Sequence, residues 1–178
     1  MSSNFRFIQR NVDISQIKKQ LDDNPDDWKA VSSFDNIAGL LEPKGFLPLV
    51  MACVTAEQPN PKNSELLQKT PLYDKYDAVT NWLTSQGIHK TARAAFMRLR
   101  PGESIGRHID EGTYYLGKDR YHLAIQGTYM YEVEDEVHYI QPGTFFWFDN
   151  KKYHNSTNIG PDDRITFVFD VPHSDDNP

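Results

Sequence analysis

Apolar and polar residues alternate through most of the second half of the chain, which is the period of half-buried β-strands. Short patterns of this kind run over 94–100, 106–110, 120–126, 129–133, 137–141, 144–148, 154–158 and 164–171. Turn signals rich in Gly and Pro separate most of them. Seven or eight short strands at this spacing predict an all-β barrel or sandwich.

Two segments of the first half have the period of a helix instead. Residues 13–21 place three apolar side chains on one face behind Asp13, a good N-cap residue, and predict a short amphipathic helix. Residues 73–86 carry a four-residue apolar stripe that ends before Gly87, and this helix is expected to pack on the outer face of a sheet. The polar segment 55–71 predicts a long loop, more often a surface connection than a lid.

The strands 120–126 and 164–171 each have one large apolar face and one face that mixes cationic or polar groups with small residues. The apolar faces are expected to lie against helices. The opposite faces would then line a polar pocket inside a barrel, although a half-exposed strand gives the same pattern. The polar faces carry Arg120, His122, Ala124, Arg164, Thr166 and Val168.

Composition narrows the class of protein. The 178 residues are 38% apolar and 12% aromatic, which predicts one folded domain. Within it, the change of period predicts that residues 1–90 form a helical and loop region that packs on a core of 91–171. A net charge of −6 without a basic run argues against nucleic-acid binding. Without a signal-type segment or a membrane-length apolar run, we expect a cytoplasmic protein with no membrane contact. The one cysteine, Cys53, lies in an apolar run and is expected to be a buried, unreactive thiol.

A possible metal site stands out among the strands. His108 and Asp110 are two residues apart and share a strand face, and His154 follows 44 residues after Asp110. Two histidines and one carboxylate with open coordination positions are the ligand set of non-haem Fe(II) oxygenases. The pair His108–Asp110 alone is a common pattern, and the remaining histidines His89, His138 and His173 are expected to be structural.

A 2-oxo acid could occupy two of the open positions on such a metal, and O₂ the third. The far carboxylate of that cosubstrate would need a cation in the pocket. Arg164 follows ten residues after His154, and we expect its strand to pair with that of His154. From there Arg164 would bind the carboxylate bidentately.

Residues 98–171 together resemble the aspartyl/asparaginyl β-hydroxylase-like branch of the Fe(II)/2-oxoglutarate-dependent oxygenases, and the likeness extends faintly upstream to Tyr73. The matching pieces are 99–105, the segment His108-Ile109-Asp110, 120–123, 142–144, 148–150 ahead of His154, and 164–171. The resemblance implies a mainly β, double-stranded β-helix fold (a cupin-like jelly roll) with helices on the larger sheet. It implies Fe(II) held by His108, Asp110 and His154.

The resemblance also implies 2-oxoglutarate held by Arg164, with Arg120 and His122 helping to bind its carboxylates. The animal hydroxylases have glycine where this chain has Asp110, so the full triad here is that of the free-amino-acid hydroxylases of the wider family. Met97 is a second departure, near where those enzymes have a serine that contacts the cosubstrate. We therefore expect a dioxygenase that hydroxylates an amino acid, free or in a peptide.

Two alternatives remain open at this stage. One is a cupin-like metalloprotein that does not use 2-oxoglutarate, and the other is a metal-free binding module on the same barrel. Arg164 distinguishes the dioxygenase from the cupin-like metalloprotein, because only a 2-oxoglutarate enzyme needs a pocket arginine. The metal content of the purified protein distinguishes it from the binding module. Five residues are expected to form pocket wall or, for the first two, core: Trp28, Phe34, Arg98, Arg107 and Trp147.

Overall fold

The computed structural model describes residues 3–28 and 45–173, so Phe34 lies outside the described residues. These residues form the following elements in chain order: β1 (Phe5–Gln9), α1 (Ser15–Asp23), β2 (Phe46–Ala52), a 3-10 helix (Pro61–Asn63), β3 (Leu67–Lys69), α2 (Asp77–Ser85), β4 (Ala94–Leu99), α3 (Thr113–Leu116), β5 (Lys118–Gln126), β6 (Tyr129–Val133), β7 (Glu136–Ile140), β8 (Phe145–Phe148), β9 (His154–Asn158) and β10 (Arg164–Pro172). Within the same residues, no helix is long and apolar enough to cross a membrane.

The strands form two antiparallel sheets. The large sheet has the order β1-β8-β5-β10-β4-β2-β3, and the small sheet has the order β7-β6-β9. From β4 onward the chain alternates between the sheets: β5, β8 and β10 lie in the large one, and β6, β7 and β9 in the small one. This winding of one chain between two facing sheets is a double-stranded β-helix, so the predicted mainly β fold is confirmed.

The predicted strand over 106–110 is wrong in detail. This segment follows β9 only through isolated bridges, Ser104 with Thr157 and His108 with His154. The reason is local, because Gly106 has φ 78°, outside the β region, and interrupts any continuous ladder. The segment still occupies the place of a fourth strand in the small sheet.

Three strands and a turn of 3-10 helix lie where the alternating pattern predicted none. β2 is buried on both faces, so it carries a continuous apolar run instead of an alternation. The segment 55–71, predicted to be a loop, contains the 3-10 helix and β3. Cys53, predicted to be buried, is half-buried, and its thiol lies 3.2 Å from Oε1 of Gln68.

Both predicted helices are present. The first has the predicted length of nine residues but lies two positions later, at Ser15–Asp23, and the second is shorter than predicted because it begins at Asp77. Their apolar side chains pack with the outer face of the large sheet in one core, which includes Ile17, Leu21, Val79, Leu83, Leu123, Ile125, Ile165, Phe167 and Phe169. A second core fills the space between the sheets with Tyr129, Tyr131, Val133, Ile140, Phe146 and Phe148. The predicted division of β5 and β10 into an outer apolar face and an inner polar face is therefore confirmed.

Candidate metal centre

A backbone bridge between the 106–110 segment and β9 brings His108 and His154 side by side. The His108 amide donates to the His154 carbonyl over 3.0 Å, and the His154 amide returns a bond of 2.8 Å. Directly opposite residues of an antiparallel pair point to the same face, and the two rings lie 4.3 Å apart. One metal-ligating atom from each of His108, Asp110 and His154 lies within 4.8 Å of the others.

Both imidazoles are oriented by the backbone. Nδ1 of His108 lies 2.8 Å from the Gly106 carbonyl, and Nδ1 of His154 lies 2.9 Å from the Lys152 carbonyl. A carbonyl oxygen only accepts, so each Nδ1 must carry the proton. This fixes the tautomer in which Nε2 of both rings keeps a free lone pair for a metal ion.

The two carboxylate oxygens of Asp110 have different surroundings: Oδ1 faces the histidines, and Oδ2 is hydrogen-bonded to neighbouring side chains. Oδ2 accepts hydrogen bonds from Nη1 of Arg120 at 2.7 Å and from Nδ2 of Asn150 at 2.9 Å. Oδ1 lies 3.7 Å from Nε2 of His108. Burial alone would raise the pKa of Asp110, but Arg120, Asn150 and the two histidines hold it below its usual value. The carboxylate is therefore ionised and has one oxygen free for a cation.

Arg120 lies between two carboxylates. Its Nε and Nη2 donate to Oδ1 and Oδ2 of Asp170 at 2.8 and 3.0 Å, on the side away from Asp110. The Tyr114 hydroxyl adds a third donor to Asp170 at 3.0 Å. The resemblance had implied a contact between Arg120 and a cosubstrate, and this stays a prediction. In the structure Arg120 holds the candidate ligand Asp110 in place.

A cavity of about 390 Å³ opens from the cluster into the barrel. Arg164 lines it and is 2% exposed, with its guanidinium 4.4 Å from the centre of the Tyr129 ring. Among the described residues Arg164 forms no ion pair, and its Nε has no hydrogen-bond acceptor. The predicted strand partner was wrong, because β10 pairs with β4 and β5 while His154 lies on β9 in the other sheet.

His122 lines the same cavity and is almost fully buried, and its Nδ1 also lacks a hydrogen-bond partner. Burial lowers the pKa of His122 well below its usual value, and the neighbouring cations Arg164 and Arg120 lower it further. The ring is therefore neutral. Its neutrality allows it to stand beside Arg164 without repulsion and to offer either a donor or an acceptor to a bound molecule.

Some of the residues that were predicted to form the pocket wall lie at the cavity, and others do not. Arg98 lines the cavity, and Trp28 supports it with its ring centre 4.6 Å from the guanidinium. Arg107 instead pairs with Glu134 at 3.2 Å, and Trp147 donates to Asp119 at 2.9 Å on the far face of β8, so neither lines it. His89, His138 and His173 lie outside the metal-binding cluster, which is the one such group within the described residues.

Sequence reasoning missed the residues that support the ligands: Asn150, Asp170 and Tyr114. Asp170 carried a usable signal, because it continues the inner face of β10 beyond Arg164, Thr166 and Val168. Asn150 lay in a segment that was recognised, but nothing local links it to Asp110. That link depends on a backbone bond from Asp110 to the Asn150 carbonyl at 3.1 Å.

Residues 8–174 match the sequence profile of the aspartyl/asparaginyl beta-hydroxylase family. This chain belongs to that family. The match covers nearly the whole chain, including every member of the metal cluster and Arg164. Comparison with curated protein sequences gives no significant match.

Several solved structures are similar to this chain. A predicted oxalate decarboxylase from Thermotoga maritima is 20% identical, over 61% of this chain and 77% of that chain, with a TM-score of 0.41. KdgF from Halomonas sp. is 23% identical, over 47% and 72% of the two chains, with a TM-score of 0.37. A cupin 2 conserved barrel domain protein from Salinispora arenicola is 13% identical, over 44% and 60%, with a TM-score of 0.37.

Proposed function

We propose that this member of the hydroxylase family is an Fe(II)/2-oxoglutarate-dependent dioxygenase that hydroxylates an amino acid, free or in a peptide. O₂ would be the oxidant, and 2-oxoglutarate would be decarboxylated to succinate. One observation carries the proposal. The cavity beside the His108, Asp110 and His154 ligand atoms also contains the buried guanidinium of Arg164, which has no ion pair within the described residues.

The donor set suits a ferrous ion. Two imidazoles whose Nε2 atoms face the site and one ionised carboxylate are the facial ligand set of non-haem Fe(II) oxygenases, which leaves coordination positions open. Fe(II) bound there would supply the activation of O₂ that is coupled to decarboxylation of the 2-oxo acid. The chain's own contribution is to keep the three ligand atoms oriented, through the carbonyls behind each histidine and through Arg120 and Asn150 behind Asp110.

The cavity has the character of a dicarboxylate site at the Arg164 end. A buried guanidinium without a carboxylate costs several kcal/mol of desolvation, so its retention favours an anionic ligand. The planar fork of Arg164 would bind a carboxylate by two parallel hydrogen bonds, with the neutral His122 ring beside it. A volume of about 390 Å³ also falls in the range of small-molecule sites.

The proposal is tested by succinate release from 2-oxoglutarate in air with added Fe(II), with and without an amino-acid panel. We expect turnover that His108→Ala abolishes. Arg164→Met should bind Fe(II) normally but raise the KM for 2-oxoglutarate by about 100-fold or more, because two charge-assisted hydrogen bonds are lost. Arg10→Met removes an exposed arginine far from the cavity and is the matched control.

Each outcome separates the alternatives. Turnover that survives His108→Ala would contradict the ligand assignment. Bound Fe(II) without 2-oxoglutarate turnover, together with an Arg164→Met variant that behaves like the parent, would favour the cupin-like metalloprotein. A purified protein that binds no metal would favour a binding module.

A further inference from the structure

A second cavity lies next to the metal-centre cavity and shares three residues with it. It has a volume of about 340 Å³, and the shared residues are Met97, Arg120 and Val168. Its floor is formed by β2, β4 and β10, and its roof includes Pro61 and Lys62 of the 3-10 helix and Tyr115 of α3. The guanidinium that holds the metal ligand Asp110 therefore also forms part of the wall of this second cavity.

Most of the lining of the second cavity is apolar. The apolar side chains that line it are Phe46, Val50, Met51, Ala52, Ala94, Ala95, Met97 and Val168. Ala95 lies directly opposite Val168 across the β4–β10 pair, so both belong to the inner face of the sheet. Such a surface favours an aliphatic group and would leave a polar side chain without hydrogen-bond partners.

The charged residues of the lining are unbalanced toward positive charge. Lys62, Arg93 and Arg120 face one acidic residue, Asp170, which is already bound to Arg120. Among the described residues Arg93 forms no ion pair, although it is half-buried. The cavity therefore combines an apolar surface with a cation that has no anionic partner.

The Arg93 guanidinium is fixed in place by neutral groups. It lies 3.5 Å from the centre of the Tyr114 ring, and it donates to the Tyr115 hydroxyl at 3.3 Å, to the Ser64 carbonyl at 3.3 Å and to the Pro61 carbonyl. These bonds use three of its five N–H groups, and Nε is buried without an acceptor. An oriented, incompletely paired arginine of this kind is suited to a carboxylate.

We propose that the second cavity is the substrate site and that its substrate is a free apolar amino acid. This inference rests on the proposed function, which it narrows. The substrate carboxylate would bind Arg93, and the aliphatic side chain would lie on Ala95, Val168 and Met97 toward the metal centre. Asp170 accepts three donors and has room for a fourth, so it can take a hydrogen bond from the substrate ammonium group.

The first test is binding, measured by calorimetry without oxygen so that no turnover occurs. The probes are L-leucine, L-isoleucine, L-valine and L-proline, with L-leucinamide and L-aspartate as comparisons. The protein carries Fe(II) and 2-oxoglutarate, and the titrations are repeated with metal-free protein. We expect at least one apolar amino acid to bind. L-leucinamide should bind about tenfold or more weakly than L-leucine because it lacks the carboxylate, and L-aspartate should bind weakly because its second carboxylate would meet an apolar wall.

Matched variants locate the site. Ala95→Phe fills the second cavity and should abolish amino-acid binding. Val137→Phe adds the same ring at an exposed position of β7, outside both cavities, and should bind the amino acid as the parent does. Arg93→Met should weaken binding about tenfold or more, and Arg93→Lys should recover part of it. Ala95→Phe should leave the affinity for 2-oxoglutarate unchanged, because Ala95 does not line the metal-centre cavity.

Failure of this inference can be distinguished from failure of the proposed function. Triad-dependent succinate release without binding of any apolar amino acid, or with equal binding of the acid and the amide, would overturn the substrate site alone. An Ala95→Phe variant that loses 2-oxoglutarate affinity and keeps amino-acid binding would assign the second cavity to the cosubstrate. Amino-acid binding that follows the expected pattern without 2-oxoglutarate turnover would support the cavity and contradict the dioxygenase.

Discussion

At the scale of single residues, the candidate metal centre depends on a carboxylate that acts on the candidate ligand Asp110 through one intervening residue. Asp170 is 1% exposed and holds Arg120 through two hydrogen bonds, and Arg120 in turn holds Asp110. Burial and the neighbouring Asp170 raise the pKa of the Tyr114 hydroxyl well above its usual value, so that group stays protonated and continues to donate. The orientation of one ligand is thus determined by a chain of buried polar groups.

Asp170→Asn tests this dependence. An amide can accept only one of the two Arg120 bonds, so Arg120 and Asp110 should lose their fixed positions. We expect the affinity for Fe(II) to fall about 10- to 100-fold, in line with the effect of removing groups behind a metal ligand. The measurement is a metal titration of the purified variant without oxygen.

The control for this change is Asp163→Asn. Asp163 also pairs with an arginine, but the pair with Arg98 is partly exposed and 3.9 Å long. Asp163→Asn should therefore leave the affinity for Fe(II) unchanged. Equal affinities in the parent and in Asp170→Asn would show that Asp110 is oriented without help from Arg120.

At the scale of elements, α3 and the 3-10 helix are held against each other by a close approach at Gly112. This glycine has φ 121°, and an added Cβ would collide with the Lys62 carbonyl. The contact is reinforced by a hydrogen bond of 3.0 Å from the Thr113 amide to Asn63. The roof of the second cavity therefore depends on a residue that has no side chain.

Gly112→Ala should separate the two elements. The strained φ and the collision together predict a loss of about 1–3 kcal/mol in the free energy of unfolding, measured by denaturant titration. Limited proteolysis should also cut the 55–71 segment faster. Gly117→Ala at the other end of α3 is the control, because nothing lies within 4 Å of its added Cβ. If both variants unfold alike, the close approach does not hold the roof.

The elements also show what local patterns could and could not predict. The faces of β5 and β10 were predictable because alternation reports burial on one side only. β2 was not, since both of its faces are buried and the alternation disappears. The turn at 160–163 suggested that β9 and β10 pair, as strands joined by a tight turn usually do. In this fold β9 and β10 belong to different sheets, and the local sequence does not indicate which sheet the next strand joins.

The candidate site was predictable to the same extent. His108, Asp110, His154 and Arg164 could be named because residue type and order carry their chemistry. Asn150 and Arg93 could not, and alternation could place Asp170 only on the inner face of β10. The roles of Asn150 and Asp170 depend on partners 40 and 50 positions away, and that of Arg93 on a cavity formed by several elements. Packing between the sheets determines those relationships, and the sequence pattern of one strand does not contain them.

At the scale of the whole molecule, the metal centre joins the two sheets. His154 lies on β9 of the small sheet, and His108 is bridged to it. Asp110 is tied through Arg120 to β5 and through Asp170 to β10, both in the large sheet. A bound ion would therefore cross-link the two halves of the barrel, and an unfolded chain could not hold it in the same way.

Fe(II) should consequently stabilise the fold as a whole. A ligand that binds only the folded state at 100 times its Kd adds about 2.7 kcal/mol. For a chain of this length that corresponds to a rise in Tm of about 5–10 °C. Thermal unfolding without oxygen, followed by circular dichroism with and without Fe(II), measures it, and Mn(II) serves as a redox-stable substitute. His108→Ala should remove the rise, while His138→Ala, on β7 beside Glu136, should keep it. An equal rise in the parent and in His108→Ala would mean that the stabilising ion binds elsewhere, and the two sheets would then be held together by packing alone.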